Sequence, residues 1–319
     1  MVTSPILLLA FNRPDTTKRV LEVIATQQPS QLFVACDGPR ADVLGDADLV
    51  SRVKQVIAEC ITWDCELRTL YPEENQGLKR GVVGAINWFF DHVTEGIILE
   101  DDCLPHPDFF AYCDELLERY RDDDRIWAIQ GDNSLKMGLS GDASYGFIPY
   151  ALIWGWATWK RAWDYYDSDL DNWKKIRGTK EVKKLWPDRI ERKIRSESLD
   201  FMLENPESTW DYQWSFTVSY YRGLTVVPRN NLVSNIGWGR PDATHTTGTG
   251  SRQESPTKPL LPLTHPDKVA LDKMATSDAL NGRLFGAGKH RLSFRLRKAV
   301  RQTIRALSLA ARKKHSPLS

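Results

Sequence analysis

Three adjacent carboxylates, Glu100-Asp101-Asp102, directly follow the apolar run Ile97-Ile98-Leu99. Side by side they repel one another unless a cation or hydrogen-bond donors offset the charge. Hard oxygen ligands suit Mn²⁺ or Mg²⁺, and such ions are usually held by one or two carboxylates together with substrate phosphates. Taken alone, the triplet reads equally well as a solvated acidic turn. Two other apolar runs also end in polar groups, Asn12-Arg13 after the first and Asp37-Gly38 after the second. An aspartate there can accept from a nucleobase edge or a ribose hydroxyl, or simply close a turn. Asn75-Gln76-Gly77-Leu78-Lys79-Arg80 places two cations at the start of a helical pattern, where phosphate is favoured, yet it matches neither a Walker loop nor GxGxxG.

The elements that must position these groups follow from periodicity. Short apolar runs predict strands at 6–11, 32–37, 66–71, 96–100 and 126–130, and apolar residues recurring every three or four positions predict helices over 16–27, 49–59, 78–92 and 108–121. Alternating strand and helix is the pattern of βα units feeding a largely parallel sheet, and ligands of open α/β sheets bind beyond the strands' carboxyl ends. The polar groups therefore converge on one edge. After Gly131 comes an aromatic-rich stretch from Tyr145 to Tyr166, a charged helical stretch, and then Trp210 to Asn235, which together suit an acceptor side.

With 319 residues and a formal net charge of +1, the chain has ample material for one large α/β domain and no bulk charge that points to nucleic acid. Five cysteines (Cys36, Cys60, Cys65, Cys103 and Cys113) form an odd set without a CxxC pair, which argues against a zinc cage or disulfide framework and predicts a reducing, cytoplasmic setting. The apolar start is too short for a signal segment or membrane span.

Taken together, Ala10-Phe11-Asn12-Arg13-Pro14, Asp37, Asn75 with Gly77, and Ile98-Leu99-Glu100-Asp101-Asp102 followed by Pro107-Asp108-Phe109-Phe110 resemble GT-A glycosyltransferases. The resemblance is to the N-acetylglucosaminyltransferase I group and related bacterial sugar transferases. It extends to Trp154-Gly155-Trp156, to Trp210-Asp211-Tyr212-Gln213-Trp214, and to Gly237-Trp238-Gly239-Arg240 with His245, covering roughly residues 4–250. It implies an α/β fold of the Rossmann-like, nucleotide-diphospho-sugar transferase kind, a mixed sheet flanked by helices. Asp102 would be the metal ligand, with His245 as a second. Glu100 and Asp101 would orient ribose or donor sugar, Asp37 would read the base, and Asn12 and Arg13 would line the donor site. Lys79, Arg80 and Arg240 would help neutralise the diphosphate, Trp154 and Trp156 would wall the acceptor, and Asp211 would be the general base. The chain carries one residue more inside the Trp-Asp-x-Trp pattern than that group does.

The resulting expectation is a metal-dependent inverting glycosyltransferase using a nucleotide-sugar donor, UDP preferred, and a carbohydrate, glycolipid or small-molecule acceptor. Two alternatives stand beside it: a sugar nucleotidyltransferase, which would usually open with a Gly-rich turn where Asn12-Arg13-Pro14 stands, and a non-catalytic carbohydrate-binding protein. The expected organisation is a domain over 1–262, with a nucleotide-sugar half at 1–131 and an acceptor half at 132–262. A Pro-rich linker and basic tail follow at 263–319. Between Lys289 and Lys314, Leu292, Leu296, Val300, Ile304 and Leu307 recur at helical spacing among Lys and Arg, which predicts a basic amphipathic helix on an anionic membrane surface. A helix packed on the domain, or a solvated tail, is the other reading.

Overall fold

The computed structural model describes residues 2–240 and 255–280. The first part of the chain winds β1 (Ile6–Ala10), α1 (Pro14–Gln27), β2 (Gln31–Cys36), α2 (Asp46–Cys60), β3 (Glu66–Leu70), α3 (Leu78–Phe90) and β4 (Glu95–Glu100). Every residue of β1 is buried, as expected of a central parallel strand covered on both faces, whereas edge strand β3 is largely exposed and carries Glu66 and Arg68. Pro14 opens α1, where its fixed φ suits a helix start and its missing N–H costs nothing.

The chain continues through β5 (Cys103–Pro105), α4 (Asp108–Arg119), β6 (Ile126–Gln130), β7 (Tyr145–Ile148) and β8 (Trp156–Trp159). Short helices α5 (Lys160–Trp163), α6 (Asp171–Ile176) and α7 (Lys180–Leu185) precede the long α8 (Arg189–Glu204) and α9 (Asp211–Tyr220). The described chain is completed by β9 (Leu224–Pro228), β10 (Val233–Asn235) and α10 (Lys273–Leu280).

Eight strands form one mixed sheet in the order β3-β2-β1-β4-β8-β6-β9-β7. The first four are parallel, as the βα pattern predicts. Strand β8, from the aromatic segment, runs antiparallel between β4 and β6, so β6 does not extend the parallel half directly. Side chains alternate across a strand, and β1 divides accordingly. Ile6 and Leu8 pack with α1, α2 and α4 on one face, while Leu7 and Leu9 pack with α3, α5 and α9 on the other. The result is a three-layer α/β sandwich of Rossmann-like form.

The Pro-rich stretch expected as a linker is packed on the domain over its described part. Asp108 accepts from Leu260 N at 2.7 Å, Ser144 and Thr264 exchange backbone and side-chain hydrogen bonds, and His265 Nδ1 lies 2.9 Å from Tyr145 Oη. Leu271 bridges to Phe147, and α10 lies against β7. Proline spacing says how stiff a segment is, and long-range hydrogen bonds decide where it lies. Among the described residues no helix is long and apolar enough to cross a membrane. The tail at 289–314 and His245 lie outside the described residues.

Candidate active site

The phase of β4 sets the direction of the acidic triplet. Ile98 faces the α3/α9 layer while Ile97 and Leu99 face the α1/α4 layer. Two residues on from Ile98, Glu100 continues its phase and points toward the layer that contains α9. Asp211 is the first residue of α9, where a carboxylate is stabilised by the helix dipole. Both carboxylates line one cavity of about 1090 Å³ at the carboxyl edge of the parallel strands, together with Arg13, Asp102, Trp154 and Trp238.

Electrostatics within this cavity are unbalanced. Burial, followed by the charges of Asp102, Asp101 and Asp211, drives the Glu100 carboxyl well above the usual range, and its Oε1 has no hydrogen-bond partner among the described residues. Burial also pushes Asp101 up to about 7, with the Asp102 charge adding to the effect; Phe11 N donates to Asp101 Oδ2 at 3.3 Å. Burial raises Asp102 too, against the opposing pull of Arg13, whose Nη1 donates to Asp102 Oδ2 at 3.0 Å. One guanidinium thus faces three clustered carboxylates.

A separate two-stranded sheet completes the edge. β10 pairs antiparallel with β5 and sets Asn235 opposite Cys103; Ile236 N donates to Asp102 O at 2.8 Å, and Asn235 Nδ2 lies 3.4 Å from Asp102 Oδ1. Gly237 then passes so close that a Cβ there would sit 2.2 Å from Asp102 Oδ2. Neither Asn235 nor Gly237 is marked in the sequence as a neighbour of Asp102, because the approach depends on a pairing across more than a hundred residues.

Several expected residues are placed differently by the structure. Asp37 does not line the cavity. Its Oδ1 accepts from Gly38 N and Gln76 N, at 2.8 and 2.9 Å, and its Oδ2 accepts from Asn75 Nδ2 at 2.9 Å, so the carboxylate is spent on joining two loops. Lys79 turns the other way and donates to Ser168 O at 2.8 Å; Arg80 is exposed and pairs with Glu207. Arg240 pairs with Asp15 in the first turn of α1. Asn12 lines the cavity but donates to Asp46 Oδ1 at 2.6 Å; Asp46 also holds Arg40, whose guanidinium lies over Phe11 at 5.2 Å.

The two acceptor-side tryptophans separate. Gly155 adopts φ +62°, a conformation open to glycine, and this breaks the alternation on entry to β8. Trp156, paired opposite Ile98, is buried against Trp163, Trp210 and Trp214 and is core, not acceptor wall. Trp154 lines the cavity, edge-on to Trp238 with centroids 5.9 Å apart. Trp210 and Trp214 are likewise core, while Thr209 Oγ1 donates a hydrogen bond to Asp211 Oδ1. Of the other carboxylates near this half, Asp164 pairs with Lys160 and Glu207 with Arg80, and neither lines the cavity.

Among the described residues no group of three or more His, Cys, Asp or Glu side chains is arranged to enclose a metal ion. Asp102 would offer such an ion the sparser arrangement of one carboxylate completed by ligand phosphates, at an edge where three carboxylates share the charge of Arg13.

No protein family profile and no curated protein sequence matches the chain. Solved structures show coarse fold similarity. HddC from Yersinia pseudotuberculosis is 15% identical over 52% of this chain and 81% of its own, with a TM-score of 0.32. UDP-glucose pyrophosphorylase complexed with UDP-glucose is 9% identical over 72% and 91%, TM-score 0.37. The inositol-1-phosphate CTP transferase from T. maritima is 10% identical over 53% and 75%, TM-score 0.28. None of these three similar structures is named as an N-acetylglucosaminyltransferase, and the likeness to each is a coarse one of fold.

Proposed function

We propose that this chain transfers a sugar from a nucleotide-diphosphate sugar, UDP preferred, to a hydroxyl of a carbohydrate, glycolipid or small-molecule acceptor with inversion at the anomeric carbon. The observation that carries the reading is that Asp211 and the Glu100-Asp101-Asp102 edge line the same cavity from different layers of the fold, together with Trp154 and Trp238. At about 1090 Å³ it lies just above the usual range for single small-molecule sites, enough for two substrates side by side.

In this reading Asp211 takes the proton from the acceptor hydroxyl as that oxygen attacks, a role for which a carboxylate at a cavity wall is chemically suited. Thr209 fixes its orientation through Oδ1 and leaves Oδ2 for the acceptor. Arg13, already against Asp102, would offset the charge of the departing diphosphate, and Phe11 with Arg40 would wall the nucleotide end. Glu100, buried at the same edge with Oε1 unpartnered among the described residues, would hydrogen-bond a sugar hydroxyl. Asp102 would hold Mn²⁺ or Mg²⁺; the chemistry such an ion supplies when bound is neutralisation of diphosphate charge.

Sugar nucleotidyl transfer is the second reading of the same acidic edge; it leaves Asp211 and Trp154 without a role. The two differ in products. Incubation with a panel of UDP-, GDP- and dTDP-sugars and Mn²⁺ is expected to release nucleoside diphosphate, and Asp211→Asn is expected to lower that turnover by roughly a hundredfold with donor binding little changed. Pyrophosphate release from a nucleoside triphosphate and a sugar phosphate, undiminished in Asp211→Asn, would establish the second reading instead.

A further inference from the structure

A second, smaller cavity of about 200 Å³ opens between the start of α3, the loop at Ser168–Asp171, α8 and α9. Two buried polar groups face it. Lys79 is 6% exposed, and its donation to Ser168 O uses one of the ammonium's three N–H groups. Gln213 is 1% exposed; its Nε2 donates to Thr209 O at 3.1 Å, and its Oε1 has no hydrogen-bond partner among the described residues. The amide orientation is fixed, because exchanging the two atoms would set Oε1 against the Thr209 carbonyl, acceptor to acceptor. A buried acceptor left unpaired is costly, which points to a ligand group that satisfies it.

Charge decides the class of ligand. The rim carries Asp169, Asp171 and Lys174, the last two paired at 2.9 Å, so with Lys79 the cavity balances two positive against two negative charges. An anion would meet the carboxylates and a cation would meet Lys79; a neutral ligand meets neither penalty. It must accept from an ammonium and donate to an amide oxygen. A hydroxyl does both, and vicinal hydroxyls serve ammonium, amide and carboxylate together.

We propose that this side cavity is a binding site for a neutral polyhydroxyl ligand of monosaccharide size, distinct from the main cavity. Two hydrogen bonds join the side cavity to the main one, Gln213 holding Thr209 O and the Thr209 hydroxyl holding Asp211. The site does not rest on the glycosyl-transfer reading, because binding is measured without donor or metal.

Saturation-transfer NMR on the full chain with D-glucose, N-acetyl-D-glucosamine or myo-inositol, and separately with inorganic phosphate, tests it. Saturable binding of at least one of the three polyols is expected, weakened tenfold or more in Lys79→Met and Gln213→Met, and measurably weakened in Asp169→Asn. The last residue is exposed, so that variant keeps the test alive should a buried replacement fail to fold. Binding of phosphate in place of the polyols, no saturable binding of any polyol, or polyol binding unaffected by these variants but lost in Trp154→Ala would each overturn the proposal.

Discussion

Replacing Gly237 by alanine leaves every carboxylate of the site in place and tests whether their geometry matters. The new Cβ would lie 2.2 Å from Asp102 Oδ2 and 2.9 Å from both Asp102 Cβ and Cγ. Ordinary van der Waals contact begins near 3.4 Å, so the carboxylate or the 235–237 backbone must retreat by about 1 Å. The backbone is restrained by the Ile236 N bond to Asp102 O and by Gly237 N donating to Asn235 Oδ1 at 3.0 Å. The carboxylate is the softer partner, and moving it stretches its 3.0 Å contact with Arg13. Overpacking of this kind costs about 1–3 kcal/mol. In a domain of this size that lowers the thermal midpoint by roughly 2–4 °C per kcal/mol. A displacement of about 1 Å at a reacting centre can cost on the order of a hundredfold in rate. Calorimetric titration of UDP with Mn²⁺ into Gly237→Ala is expected to show binding weakened tenfold or more while far-UV circular dichroism stays that of the parent. Parent-like Mn²⁺-dependent binding in a folded Gly237→Ala would refute the placement of the metal and diphosphate at Asp102.

Three further outcomes follow from the geometry. Trp154→Ala is expected to keep the fold and lose acceptor affinity in a turnover assay, whereas Trp156→Ala removes a buried core ring and is expected to cost about 3–5 kcal/mol in denaturant unfolding. Asp46 is held at about 2 against an ordinary 3.8, first by the Arg40 guanidinium bond, so its contribution is present above pH 4 and lost as pH falls toward 2. That contribution is at most about 2.5 kcal/mol, reduced toward about 1 kcal/mol because Arg40 is partly solvated, and the stability gap between parent and Asp46→Asn measured by urea unfolding is expected to narrow from pH 6 to pH 2.5. Gly84 is an exposed glycine inside α3 with no heavy atom within 4 Å of an added Cβ, so Gly84→Ala is expected to stabilise by about 0.5–1 kcal/mol, read as a higher urea midpoint.

The parallel half of the fold was legible in the sequence because its signals are local. Strand β6 falls on the span read from its apolar run, β1 to β4 and α1 to α4 fall within a few residues of theirs, and the triplet 100–102 sits at the end of β4 as the run before it implies. Periodicity reports which residues must be buried, and burial on both faces forces a central parallel strand. The position of β8 could not be read in this way, since an antiparallel strand inserted between β4 and β6 is a choice among partners that all satisfy the same local pattern.

Side-chain destinations divide along the same line. Residue type and spacing marked Glu100, Asp101, Asp102, Arg13 and Trp154, the glycosyltransferase resemblance added Asp211, and the fold gathers all of them into one cavity. The same reasoning could not tell Trp154 from Trp156, because a single positive φ at Gly155 separates them. Nor could it foresee that Asp37 is held by Gln76 and Asn75, that Lys79 turns toward Ser168, or that Gly237 presses on Asp102. A charged residue in a sequence advertises what it can bind. Which group it does bind is set by chain segments far away in sequence, whose approach is fixed only when the layers pack.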